Sequence, residues 1–174
     1  MTTNLSSNNP VNGSLFKRTG LRWIWLTIIC LIVDQVTKQW VAGSMDLYQS
    51  INVLPFFDIT YVHNLGAAFS FLADQGGWQR WLFGIIALVV SLGIIVWLSR
   101  LASDKKMEAL ALALILGGAV GNLYDRVALG YVVDFIVLHY EHHYWPAFNI
   151  ADCGISIGAV LLIVDMFLNK EKEL

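Results

Sequence analysis

Asp134 and Asp152 are carboxylates set in apolar surroundings, the first between Val133 and Phe135, the second between Ala151 and Cys153. Brought close together, two such groups cannot both ionise, so they share a proton and divide into an acid and a base. Such a pair can draw a proton from water and donate one to a carbonyl oxygen, with no metal or cofactor. Neither aspartate has a basic residue at helical spacing. Two readings stay open on the residues alone: a proton-sharing pair, or an aspartate neutralised across the fold by Arg126.

Other polar residues fall into stripes. Asn149, Asp152 and Ser156 recur at i, i+3 and i+7, one face of an otherwise apolar helix. Asn122, Asp125 and Arg126 share a face at the end of another, and Gly117 and Gly121 form a small-xxx-small pair that admits a close neighbour. Asp34 and Lys38 stand one turn apart and can pair. Asp34–Lys38 and Asp125–Arg126 are expected to be structural ion pairs. Asp104 and Asp165 read as solvated or interfacial, and Asp165 lies roughly 20 Å along its helix from Asp152 at about 1.5 Å per residue. His139, His142 and His143 cluster around Glu141, but the spacing lacks a metal-ligand pattern and reads as polar surface.

The elements that must position these residues are membrane spans. Of 174 residues, 57% are hydrophobic and only 14% charged, with mean hydropathy +0.62. Soluble chains carry about a quarter charged residues. A span needs about 20 mostly apolar residues, and four segments qualify, at about 21–42, 78–98, 107–128 and 145–168. A carboxylate in such a segment costs several kcal/mol, roughly 2.5–3.5 on insertion scales, so it faces the interior and is a functional candidate. Lys17, Arg18 and Arg22, then Arg100, Lys105 and Lys106, then Lys170 and Lys172 flank one side, whereas 44–77 and 130–144 carry no Lys or Arg. Both termini are therefore expected in the cytoplasm, and Asp134 and Asp152 near the outer face. Trp40, Trp78, Tyr144 and Trp145 form the aromatic belt there.

The first outer connection, about 46–74, is predicted to hold two short strands within 48–62 and a short surface helix over 64–72. The whole is expected to be an all-α membrane protein, one four-span domain at 21–169 with a small extracytoplasmic β-cradle. The tails at 1–20 and 170–174 lie outside that domain, and residues 1–14 read as disordered. Asp34 and Lys38 interrupt the first apolar run, which favours a retained span over a cleaved signal. Cys30 and Cys153 read as packing residues.

Five motifs occur in order: DQVTK at 34–38, NLGAAF at 64–69, GGAVGNLYDR at 117–126, VDF at 133–135 and FNIAD at 148–152. Together they make the chain resemble the bacterial lipoprotein signal peptidases, the signal peptidase II family of membrane aspartyl proteases, from about Leu21 to Leu168. The resemblance implies an Asp134–Asp152 catalytic dyad, with Asn64, Gly66, Asn122, Arg126 and Asn149 contacting substrate or supporting it. Asp34, Lys38 and Asp125 would hold the architecture. It further implies cleavage of a prolipoprotein before its diacylglyceryl-modified cysteine, in the inner membrane, among membrane lipid, by a monomer without cofactor, metal or nucleic acid. The strands would form a cradle beside the site and the surface helix a lid.

Two other classes are weighed beside it. A proton-coupled transporter would need polar groups through the full depth of the bilayer, but these cluster at one face and the second span has none. A metalloenzyme would rest on His139, His142 and His143.

Overall fold

The structure, a computed structural model, describes residues 19–66 and 76–170. Among these, four helices are long and apolar enough to cross a membrane. A 3-10 turn (Gly20–Trp23) leads into α1 (Ile24–Ser44), followed by strands β1 (Ser50–Leu54) and β2 (Phe57–Asn64). Helices α2 (Gln79–Arg100) and α3 (Lys106–Ala128) come next, then β3 (Val132–Tyr140), β4 (His143–Tyr144) and α4 (Ile150–Lys170).

Helix α2 is apolar all round, as a lipid-facing helix must be. Ile85 and Val89 are exposed, while Gly84, Ser91, Ile94 and Leu98 form its buried stripe. On α1 the buried stripe is Thr27, Cys30, Asp34, Lys38 and Val41, which puts the two charged residues inside the protein. Helix α3 is the central element, the most buried of the four. Its small residues let its neighbours approach at backbone distance. A Cβ on Gly117 would come 2.7 Å from the Cβ of Cys30, one on Gly118 would strike the Ala151 carbonyl, and one on Gly121 would lie 2.6 Å from Asp34 Oδ2. Close approach of this kind replaces the missing hydrophobic drive between helices in lipid.

The four strands form one antiparallel sheet in the order β1-β2-β3-β4. The two strands expected in the first connection are present. The second connection supplies the other two, at Val132–Tyr140 and His143–Tyr144, where no strand is expected from the sequence. The run from Val132 to Tyr140 is rich in β-branched and aromatic types without polar alternation. That pattern suits a strand covered on both faces, and Val132 to Phe135 are buried. Tyr61, Val133 and Phe135 pack with Val41 and Met45, which seats the sheet on the end of α1. Helix α4 starts at Ile150, later than the 145 expected, because residue 148 is spliced to the sheet. Phe148 N donates to Ile136 O (3.0 Å), and Ile136 N donates to Phe148 O (2.8 Å). Most of the surface helix expected over 64–72 lies outside the described residues.

Candidate active site

Asn149 is the cap of α4 and the centre of the site. Its Oδ1 accepts from Asp152 N (2.9 Å), while Asp152 Oδ2 accepts from Asn149 N (3.2 Å). This is the reciprocal arrangement of a capping box, satisfying two of the donors that a helix start leaves open. It turns the Asn149 side-chain amide outward to Asp134 Oδ1, at 2.6 Å. The sheet register places Asp134 opposite Val62, and Asn64, at the end of β2, donates to Asp134 Oδ2 (2.8 Å). On the other side, Asn122 donates to Asp152 Oδ1 (2.8 Å). The structure thus brings Asp134 and Asp152 to one locus, with Asn64, Asn122 and Asn149 each donating to one or both carboxylates.

Asp134 lies outside the spans, and its carboxyl is pushed up to about 7. Burial is the largest cause and the negative charge of Asp152 the next; the amides of Asn64 and Asn149, with Lys38, pull the other way.

Behind the pair is a buried ion cluster. Lys38 Nζ lies 2.9 Å from Asp34 Oδ2, 2.9 Å from Asp125 Oδ2 and 2.9 Å from Asn122 Oδ1. The expected Asp34–Lys38 pair is present. Asp125 pairs with Lys38 and not with Arg126, since successive residues on a helix point in different directions. Both carboxylates reach further: Asp34 Oδ1 accepts from Ala151 N (2.8 Å), and Asp125 Oδ2 from Val133 N (3.2 Å). Each therefore grips the residue just before one of the two site aspartates. Gln35, which the sequence reading passed over, ties the cluster together by donating to Asp34 Oδ2 (3.1 Å) and Asp125 Oδ1 (2.9 Å). Its position within the DQVTK motif was the available signal.

Among the described residues, Arg126 hydrogen-bonds backbone carbonyls, Asn122 O and Gly66 O, both at 3.1 Å, and no carboxylate. Gly66 N in turn donates to Asn64 Oδ1 (2.9 Å). The histidine cluster is dispersed. His139 stacks on Tyr144 and sits 3.4 Å from Asp58, whereas His142 and His143 are exposed. Among the described residues, no three His, Cys, Asp or Glu side chains gather as a metal set. Cys30 and Cys153 are free thiols.

A cavity of about 700 Å³ opens beside Asp152 and Asn64. Asn122, Arg126 and Asp152 form part of its polar end, and Phe83, Ile86, Val90, Ala119 and Ile157 contribute to an apolar wall. Its lining suits a mainly apolar ligand that carries a polar group.

Two solved structures share this fold, and both are bacterial membrane enzymes determined by the in meso method. The one at 2.3 Å resolution superposes with a TM-score of 0.81 at 31% identity, covering 91% of this chain and 95% of that one. The second, at 1.9 Å resolution, gives 0.73 at 32% identity over 86% and 96%. A family model described as signal peptidase (SPase) II matches residues 26–168. The lipoprotein signal peptidase of Alteromonas mediterranea is 56% identical over 159 residues, covering 91% of this chain and 87% of that protein. That of Pseudomonas putida is 52% identical over 167 residues, covering 95% and 96%. The chain belongs to the signal peptidase II family and is an aspartic endopeptidase of the membrane.

Proposed function

We propose that Asp134 and Asp152 are the catalytic dyad, and that this enzyme cleaves prolipoproteins just before the cysteine bearing diacylglycerol. The observation that carries the reading is Asn149, which donates from its side chain to one carboxylate and from its main chain to the other. In this reading the pair shares one proton in the resting enzyme, assigned to Asp134, whose carboxyl is raised to about 7. Ionised Asp152 takes a proton from a water lodged between the two. As that water attacks the scissile carbonyl, Asp134 donates its proton to the carbonyl oxygen. The gem-diol then collapses as the amine is protonated and leaves, and the dyad returns to its singly protonated state.

Asn122 and Asn64 hold their carboxylates in orientation, and Gly66 with Arg126 and Asn149 supports the substrate backbone beside them. The apolar cavity receives the signal-peptide and acyl portions of the substrate, its wall matching them in polarity. Asp34, Lys38 and Asp125 hold the elements that carry the dyad. The absence of Lys and Arg from 44–66 and 130–144 supports a location of the sheet outside the inner membrane, with both termini in the cytoplasm. The domain is the single unit 21–169, acting as a monomer among membrane lipids.

The test uses the purified enzyme with a diacylated and a non-lipidated precursor. Asp134→Asn and Asp152→Asn should each abolish cleavage while the protein still inserts and folds. Normal processing by either variant would sink the dyad, and equal cleavage of both precursors would sink the lipid requirement.

A further inference from the structure

His63 is one residue from Asn64 and faces the opposite side of the sheet, as successive strand residues do. Its ring stacks on Tyr131 with centroids 3.6 Å apart and planes at 18°, and meets the edge of Tyr61 at 5.0 Å. His63 Nε2 is also 2.8 Å from the Tyr61 hydroxyl. Tyr131 immediately precedes β3. In the register, His63 lies opposite Val133 and Asn64 opposite Val132. The stack from His63 to Tyr131 and the bond from Asn64 to Asp134 are therefore two diagonal links between the same strands, one on each face. Diagonal neighbours lie within reach of aromatic side chains.

The location makes the stack matter. Asn64 is the last residue of β2, where ladder pairing stops, and the pairing already shifts between Ile59 and Val62. A slip of one residue would turn Asn64 to the far face and away from Asp134. The Arg126–Gly66 bond fixes the chain beyond Asn64, but it does not fix the strand register. Burial pushes His63 below and Tyr61 above the usual range of each group, so the pair is a neutral imidazole against a neutral phenol near pH 7.

We propose that His63 is a positioning residue for the cleavage reaction: held between Tyr131 and Tyr61, it fixes the register from which Asn64 donates to Asp134. This rests on the reading of Asp134 as a member of the dyad. His63 touches neither carboxylate in this arrangement and acts only through Asn64.

The experiment is a double-mutant cycle on the full-length enzyme, measuring kcat and KM for a diacylated precursor peptide. His63→Ala should lower kcat about tenfold, the scale expected of a slightly misplaced group, with KM nearly unchanged. In an Asn64→Ala background the same change should lower kcat by less than about twofold, since coupled residues do not add. His63→Phe keeps a ring on Tyr131 and should recover most of the loss. Multiplicative losses in the double variant, or equal losses for alanine and phenylalanine, would overturn the proposal. Should His63→Ala not fold, Tyr131→Leu removes the same stack from the β3 side; an unchanged kcat there overturns it equally. An active Asp134→Asn enzyme would instead refute the dyad, so the two failures are distinct.

Discussion

Lys38 and Asn122 are joined by a 2.9 Å hydrogen bond from Nζ to Oδ1, and that bond decides which way the asparagine amide faces. With its oxygen held by the lysine, Asn122 has only its NH2 to offer Asp152. Lys38 thus orients a group in contact with the site while pairing with the two carboxylates that grip Val133 and Ala151. A buried ion cluster of this kind is weak evidence for net stability, but removing one partner from it is severe.

Lys38→Met should therefore destabilise the enzyme by about 3–5 kcal/mol and nearly abolish cleavage, because two buried carboxylates lose their counter-ion. Combining it with Asp34→Asn and Asp125→Asn should restore part of the thermal stability in detergent but not the activity. A triple variant no more stable than Lys38→Met would count against the charge account.

Gly121→Ala places a methyl 2.6 Å from Asp34 Oδ2, whereas a methyl on Gly93 meets nothing within 4 Å. The first should cost about 1–3 kcal/mol through overpacking and reduce cleavage by displacing Asp34. The second should leave both unchanged. Thermal unfolding of the pair of variants separates local contact from a general intolerance of alanine.

The pH dependence follows from Asp134. Its carboxyl, raised to about 7, is protonated below that value and ionised above it, so kcat should fall as pH rises past about 7. The sign for stability is the same. Between the ordinary 3.8 and about 7 the folded protein holds a proton that the unfolded chain has lost. Stability contributed by this group therefore declines as pH climbs through that window. Melting temperature measured from pH 4 to 8 should drop more steeply for the wild type than for Asp134→Asn.

Asn149→Ala removes an amide that lowers the Asp134 pKa together with the helix cap at Asp152 N. The cap loss should cost about 1 kcal/mol. The alkaline limb of kcat should move to higher pH, and a limb that stays in place would show that Asn149 does not tune Asp134.

Much of this arrangement was legible in the sequence because lipid is a strict solvent. Aspartates in apolar spans must face inward, so Asp34, Asp125 and Asp152 announced themselves, and the helical spacing of Asp34 and Lys38 gave their pairing directly. What stayed hidden depended on contacts between distant segments. Val132 to Tyr140 gave no alternating pattern to mark a strand, and the partner of Asp125 came from α1, far away in the chain. His63 and Tyr131 carry no charge anomaly in the sequence; only the register of β2 against β3 brings their rings together.

The sheet joins β2, which follows the first span, to β3, which follows the third. Asn149 and Asp152 lie later still, at the threshold of the last span. The proposed dyad is therefore assembled from segments far apart in the chain, and an emerging chain gains its second member only when α4 is made. Under the proposed function, a chain that stops short of α4 lacks both Asn149 and Asp152 and should cut nothing.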